Sequence, residues 1–218
     1  MPEPEKAAHF LYSKYVHEDD IVVEVGANTG GSTILLSKLA KIVYSFEPSK
    51  INFTLLRVNT KSHPNIKIFN LALGREKGNA SLMMQDRNRT PKVATMKGLL
   101  GARYGDFEVA RIEPLDSIPF EQKPTKLILD CEGFEVEVLE GARNTISSLT
   151  GVMIETHNLS DGTRTIDSVR QELSRYASLF DIDDTFVDFE GMNWIVATAK
   201  CNVKDKFSPS RNSSSVKN

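Results

Sequence analysis

Ile21-Val22-Val23-Glu24-Val25-Gly26-Ala27-Asn28-Thr29-Gly30-Gly31 is the stretch from which the rest of the chain is read. A β-branched run ends in an acid and then in glycines. Ile34, Leu35, Leu36, Leu39 and Ala40 follow at helical spacing. That order predicts a strand, a tight turn and a helix, the opening of a nucleotide-type βαβ unit. The strand is nearly all apolar, as a parallel strand covered on both faces must be. The expected fold is α/β, with a doubly wound, mostly parallel sheet built beside this strand.

The same rhythm continues outward. Residues 5–16 read as a short amphipathic helix carrying Ala8, Phe10, Leu11 and Tyr15. Downstream, Ile42 to Phe46 reads as a strand ending in Glu47-Pro48, followed by a helix over 49–60 and a strand over 66–69. Pro48 cannot continue a paired strand and pre-sets the chain for the helix. Lys126 to Leu129 predicts a fourth core strand, 134–147 one helix, and Val152 to Ile154 a fifth strand running into Glu155-Thr156-His157. A helix over 165–177 and an antiparallel pair at 179–182 and 192–199 close the pattern.

Residues 75–120 break it. Ala80 to Met84 and Phe107 to Ile112 read as short strands flanking a polar, basic segment, 85–105, with Arg87, Arg89, Lys92, Lys97 and Arg103. The region is too short for its own core. It is expected to be an insertion or extra hairpin, with 85–105 either a solvated loop or a lid favouring an anionic acceptor. Residues 1–203 thus form one domain, and 204–218, rich in serine, a disordered tail.

Composition excludes some classes of function. With 218 residues, 40% hydrophobic content and a net charge of −2, the chain has no bulk attraction to nucleic acid or to membranes. Cys131 and Cys201 lack metal-type spacing and read as reduced thiols. No apolar leader and no spanning run is visible, so a cytoplasmic location is expected.

The first turn also indicates its ligand. A dinucleotide turn, G-x-G-x-x-G, needs its second glycine so that the backbone can approach a pyrophosphate; here that position is Asn28. No P-loop lysine is present. Glu47 lies about 20 residues beyond the turn, where an acid meets ribose hydroxyls in such folds. Glu24 sits in an apolar strand, where an unpaired carboxylate is costly, and a cationic partner would suit it. Ser32 or Thr33 is expected to cap the helix that follows. Acids at three strand ends, Glu24, Glu47 and Asp130, suit a cationic nucleoside such as S-adenosylmethionine.

Several segments together resemble one family. Glu24-Val-Gly-Ala-Asn-Thr-Gly30, Phe46-Glu-Pro48, Asn70-Leu-Ala-Leu-Gly74, Asp130-Cys-Glu-Gly-Phe-Glu135 with Leu139-Glu-Gly-Ala142, and Ile154-Glu155 are similar, in order and spacing, to the FkbM family of methyltransferases. The resemblance covers roughly residues 20–185. It implies a class I, Rossmann-like fold with a seven-stranded sheet and a reversed last strand. It also implies S-adenosylmethionine as donor and a hydroxyl on a sugar or other small molecule as acceptor. On these matches the donor-binding residues are Glu24, Gly26, Ala27, Asn28, Glu47, Pro48, Ala72 and Asp130. A NAD-binding oxidoreductase is the first alternative, opposed by Asn28; a non-catalytic nucleoside-binding module is the second.

A second constellation lies at the next two strand ends. Asp130 and Glu132 are two apart, as are Glu155 and His157. His157 is the first candidate base for an acceptor hydroxyl. Asp130 would orient donor or acceptor, and Glu155 would hold His157 or the acceptor. Glu132 could instead cap the following helix. A hard cation on Asp130, Glu132, Glu155 and His157 is a further reading; since the acids are accounted for without one, no metal is expected.

Overall fold

The computed structural model describes residues 4–83, 107–157, 162, 164–187 and 193–200. The basic segment 85–105, Cys201 and the tail 204–218 lie outside the described residues.

Strand β1 (Ile21–Val25) is buried at all five positions. It pairs in parallel with β2 (Ile42–Phe46) on one side and β7 (Lys126–Leu129) on the other. Beyond β2 lies β3 (Ile66–Phe69), and beyond β7 lies β8 (Gly151–Thr156), both parallel to their neighbours. The last two strands are β9 (Phe180–Val187) and β10 (Asn193–Ala199). β10 runs antiparallel to both β8 and β9. The order β3-β2-β1-β7-β8-β10-β9 is the mostly parallel seven-stranded sheet with a reversed last strand. Strand order turns back between β1 and β7, and ligands of open α/β sheets bind beyond the strand ends at such a switch point.

Alternation along the strands feeds two apolar layers. Val22, Val43, Ile128, Met153 and Trp194 pack beneath α1 (Pro4–Tyr15) and α2 (Gly31–Leu39). Val23, Val25, Leu127, Leu129 and Ile154 face the other way, against Val138, Leu139, Ile146, Val169 and Leu173. Those residues come from α4 (Glu135–Glu140), α5 (Arg143–Ile146) and α6 (Thr165–Ser174). Helix α3 (Lys50–Thr60) opens at Ser49, whose hydroxyl accepts from the Asn52 N–H.

One expectation is corrected and one is extended. The single helix over 134–147 is two helices, broken at Gly141. A Cβ there would lie 2.0 Å from the Gly74 carbonyl oxygen, so backbone presses on backbone. Asp116 then takes the exposed N–H groups of Asn144 and Thr145, starting α5 afresh. The two strands read in the 75–120 region pair with each other, and β6 (Phe107–Glu113) also takes up a strand from before that region, which makes a small second sheet. β4 (Ala72–Leu73) joins β6 in parallel, and β5 (Gly78–Met83) pairs with β6 antiparallel. No described helix is long and apolar enough to cross a membrane.

Candidate active site

The turn after β1 is held by backbone contact. Gly26 adopts φ 92°, and a Cβ on it would sit 1.7 Å from the Asp130 carbonyl oxygen. Only glycine fits, and the close approach joins the ends of β1 and β7. Gly30, at φ 99°, faces Leu56 of α3 at 2.9 Å from the same kind of virtual Cβ. Asn28 takes φ 50°, in the left-handed region that asparagine tolerates better than most residues.

Glu24 has partners other than the cation expected from sequence. It is 3% exposed. Its carboxylate accepts from Ser32 Oγ at 2.5 Å, Thr33 Oγ1 at 2.6 Å and Ser45 Oγ at 2.7 Å. Burial raises its pKa, and the three hydroxyls oppose the rise. Ser32 and Thr33 therefore serve Glu24, not the N–H groups of α2, whose N-cap, Gly30, makes no side-chain cap. Glu24 lies under the turn as an anchor for it and does not line the cleft in front.

That cleft is bordered by Gly26, Asn28, Glu47, Pro48, Ala72 and Asp130. Glu47 is buried at its edge. One oxygen accepts from the Asn28 N–H at 2.8 Å and the other from the Ser49 N–H at 2.9 Å. Burial, opposed by those bonds and by one from Asn52, pushes its carboxyl up to about 7. Asn52 also lines the cleft, is 3% exposed, and leaves Oδ1 without a partner. Sequence reading missed Asn52. Its signal was the third position of a helix capped by Ser49, directly after Glu47-Pro48.

The second constellation converges as adjacent strands β7 and β8 require. His157 is buried, and its main chain is locked by Thr165: the His157 N–H donates to Oγ1 at 2.7 Å, and the Thr165 N–H donates to the His157 carbonyl at 2.9 Å. Ring atom Nδ1 lies 2.9 Å from Glu135 Oε1, whose residue is wholly buried. Nε2 faces Asp130 at 3.5 Å and Glu132 at 3.6 Å. Desolvation works to lower the His157 pKa, but bonds to Asp130 and Glu135 and the nearby Glu132 charge outweigh it, leaving it at about 11. In this arrangement the ring is an imidazolium at neutral pH. The near-neutral base expected at His157 is not what these neighbours build.

Glu132 does not cap the helix. Its backbone sits at φ 54°, a conformation that costs such a residue roughly 1 to 3 kcal/mol, and its side chain is turned toward His157. Glu135 instead accepts the Gly133 N–H at 2.8 Å. Glu155 joins Asp130 and His157, with one ligating atom from each within 4.8 Å of the others. Tyr12 of α1 is a core residue, packed edge-on against Trp194. Its buried phenol is raised well above its ordinary pKa, first by burial, then by Glu24, Asp130 and Glu155. Cys131 is a free thiol that lines the cleft.

Comparison with known proteins places the chain in a family. The Methyltransferase FkbM domain matches residues 24–180. The chain belongs to the FkbM methyltransferase family. The hexuronic acid methyltransferase AglP of Haloferax volcanii is 30% identical over 184 residues, covering 81% of this chain and 73% of AglP. In fold, this family member resembles the crystal structure of methyltransferase FkbM from Methylobacillus flagellatus, with TM-score 0.60 and 19% identity. That match covers 90% of this chain and 50% of the other, so this chain spans half the length of that protein. SMU.1697c of Streptococcus mutans, a putative methyltransferase solved with SAH, matches at TM-score 0.53 and 10% identity over 92% of this chain.

Proposed function

We propose that the chain transfers a methyl group from S-adenosylmethionine to an oxygen of a sugar-type small molecule. The carrying observation is the cleft at the β1/β7 switch point, where a buried carboxylate at the end of β2 and the unpaired carbonyl of Asn52 offer acceptors to a nucleoside's hydroxyls. In this reading the Gly26, Ala27 and Asn28 backbone runs along the donor. Glu47 and Asn52 take its ribose, Pro48 and Ala72 flank its base, and Asp130 faces its cationic end. Asn28 favours a nucleoside over a dinucleotide. The SAH bound to SMU.1697c and the hexuronic acid acted on by AglP support donor and acceptor class respectively.

Methyl transfer is an in-line displacement: the C–S bond breaks as the C–O bond forms. Its first requirement is alignment of acceptor oxygen, methyl and sulfur. Glu132 and Glu155 would border the acceptor oxygen, with Asp130 between them and the donor. The proton of an acceptor hydroxyl then passes to a carboxylate, because His157, an imidazolium among these acids, has no lone pair to accept it. His157 acts as a positioning residue for those carboxylates.

Thermal-shift titration tests the donor. S-adenosylhomocysteine is expected to raise the melting temperature and NAD to leave it unchanged. A shift with NAD and none with S-adenosylhomocysteine would move the chain to the oxidoreductase reading. For the acceptor, radiolabelled methyl transfer to hexuronic acids and to neutral hexoses compares the two sugar classes.

A further inference from the structure

Three carboxylates, Asp130, Glu132 and Glu135, converge on one imidazole. Among the described residues no lysine or arginine pairs with any of them. Three carboxylates outnumber the one imidazole among them and the one net positive charge of the proposed donor together. The cluster therefore remains anionic where it faces the acceptor, and for a hexuronic acid, itself an anion, that is the wrong sign.

The geometry supplies a way to reverse it. Glu135 holds Nδ1 at 2.9 Å, so Nε2 is the atom left to act. The His157 side chain is only 8% exposed, and its Nε2 faces carboxylate oxygens at 3.5 and 3.6 Å. Charge-assisted N–H···O bonds are about 2.7–2.9 Å, so the two Nε2 contacts are long ones, and an ion held between ring and carboxylates would take the place of the Nε2 proton, which its binding releases. A carboxylate on the far nitrogen of a histidine is the usual support of a metal-ligating imidazole, fixing tautomer and ring orientation. The second Glu135 oxygen is buried and unpartnered as well.

We propose that Asp130, Glu155 and His157 hold a divalent metal ion at the acceptor edge of the donor cleft. This rests on reading that edge as the acceptor half of the site. One ligating atom from each residue lies within 4.8 Å of the other two. Donors around a six-coordinate ion at roughly 2.1 Å lie about 3 Å apart when adjacent and about 4.2 Å when opposite. The half-exposed Asp130 side chain can close the remaining gap. Two carboxylates and one imidazole favour a first-row ion such as Mn²⁺ over Ca²⁺, which prefers oxygen alone. Three protein ligands leave positions for the acceptor. Sugar oxygens, a carboxylate included, would there meet a cation in place of an acidic wall.

Chelator-treated full-length protein titrated with MnCl₂ gives the test, with free Mn²⁺ followed by electron paramagnetic resonance. One equivalent is expected to bind per chain, with nitrogen hyperfine coupling from one imidazole. His157→Gln is expected to abolish that coupling and to weaken binding at least tenfold. Glu135→Gln, which touches no ion, is expected to weaken it about 10- to 100-fold while the nitrogen coupling survives. Circular dichroism confirms that each variant is folded. If His157→Gln does not fold, the coupling in the unmodified protein decides. No stoichiometric Mn²⁺, or bound Mn²⁺ without nitrogen coupling, overturns the proposal. The readout needs neither donor nor acceptor. A retained shift with S-adenosylhomocysteine but no ion overturns the metal site alone; bound ion without that shift supports the site and overturns the donor reading.

Discussion

With Glu47 at the donor's ribose, as proposed, donor binding should depend on pH near neutrality. The Glu47 carboxyl is pushed up to about 7 from 4.5, chiefly by burial. In the folded chain it holds a proton over a range where the unfolded chain has lost it. Its contribution to stability is therefore full below about pH 4.5 and is lost as pH rises toward 7, roughly 3 kcal/mol in all. Donor binding draws the other way. One Glu47 oxygen accepts from the Asn28 N–H, the other from the Ser49 N–H, and Asn52 bonds to the same carboxylate. Of about four lone-pair sites on an ionised carboxylate, one remains, and a ribose hydroxyl can use it only while the group is ionised. With a pKa near 7, the ionised fraction falls about tenfold between pH 8 and pH 6, which corresponds to about 1.4 kcal/mol of affinity. Calorimetric titration of S-adenosylhomocysteine across that range should show the loss, with proton release on binding at pH 6 revealed by buffers of different ionisation enthalpy. Glu47→Gln has no proton to lose there, so its profile should be flatter and its binding weaker at pH 8. Equal slopes for the two proteins would refute the assignment of Glu47 to the donor.

Other outcomes follow from the same contacts. Asn52→Ala removes the unpaired carbonyl of the cleft, and its affinity for S-adenosylhomocysteine should fall by about 1 kcal/mol, the scale of one neutral hydrogen bond; equal affinity by calorimetry removes Asn52 from the site. Gly26→Ala places a methyl 1.7 Å from the Asp130 carbonyl oxygen, so the turn must move; donor binding should be lost and the melting temperature lowered, and a normal thermal-shift response would contradict the close approach. Ser45→Ala takes one of three hydroxyls from the buried Glu24 and should cost about 1.5–3 kcal/mol in urea unfolding, the range for bonds to a charged group; the loss should shrink at low pH, where Glu24 is protonated.

Much of the fold was legible in the sequence because its signals are local. The apolar run Ile21 to Val25, the glycines after it, and the acids Glu47, Asp130 and Glu155 at later strand ends specify strand, turn and helix within a few residues. Those elements then assemble by general rules of parallel sheets. The break at Gly141 was not legible, since its cause is the Gly74 backbone, 67 residues away in the chain. Nor was β4 as part of a second sheet, since Ala72 pairs with Ile112.

The sites divide in the same way. Sequence alone determined which residues stand at strand ends, Glu24, Glu47, Asp130, Glu155 and His157, because strand termini follow from hydropathy and punctuation. Only the tertiary structure decided what each one meets. Glu24 meets three hydroxyls because Ser45 is its cross-strand partner and Ser32 and Thr33 begin the next helix. His157 meets Glu135, hidden at the start of α4, as well as Asp130 and Glu132. A residue's protonation state depends on the charges and solvent around it. Those neighbours are set by packing between distant segments, which no local pattern encodes.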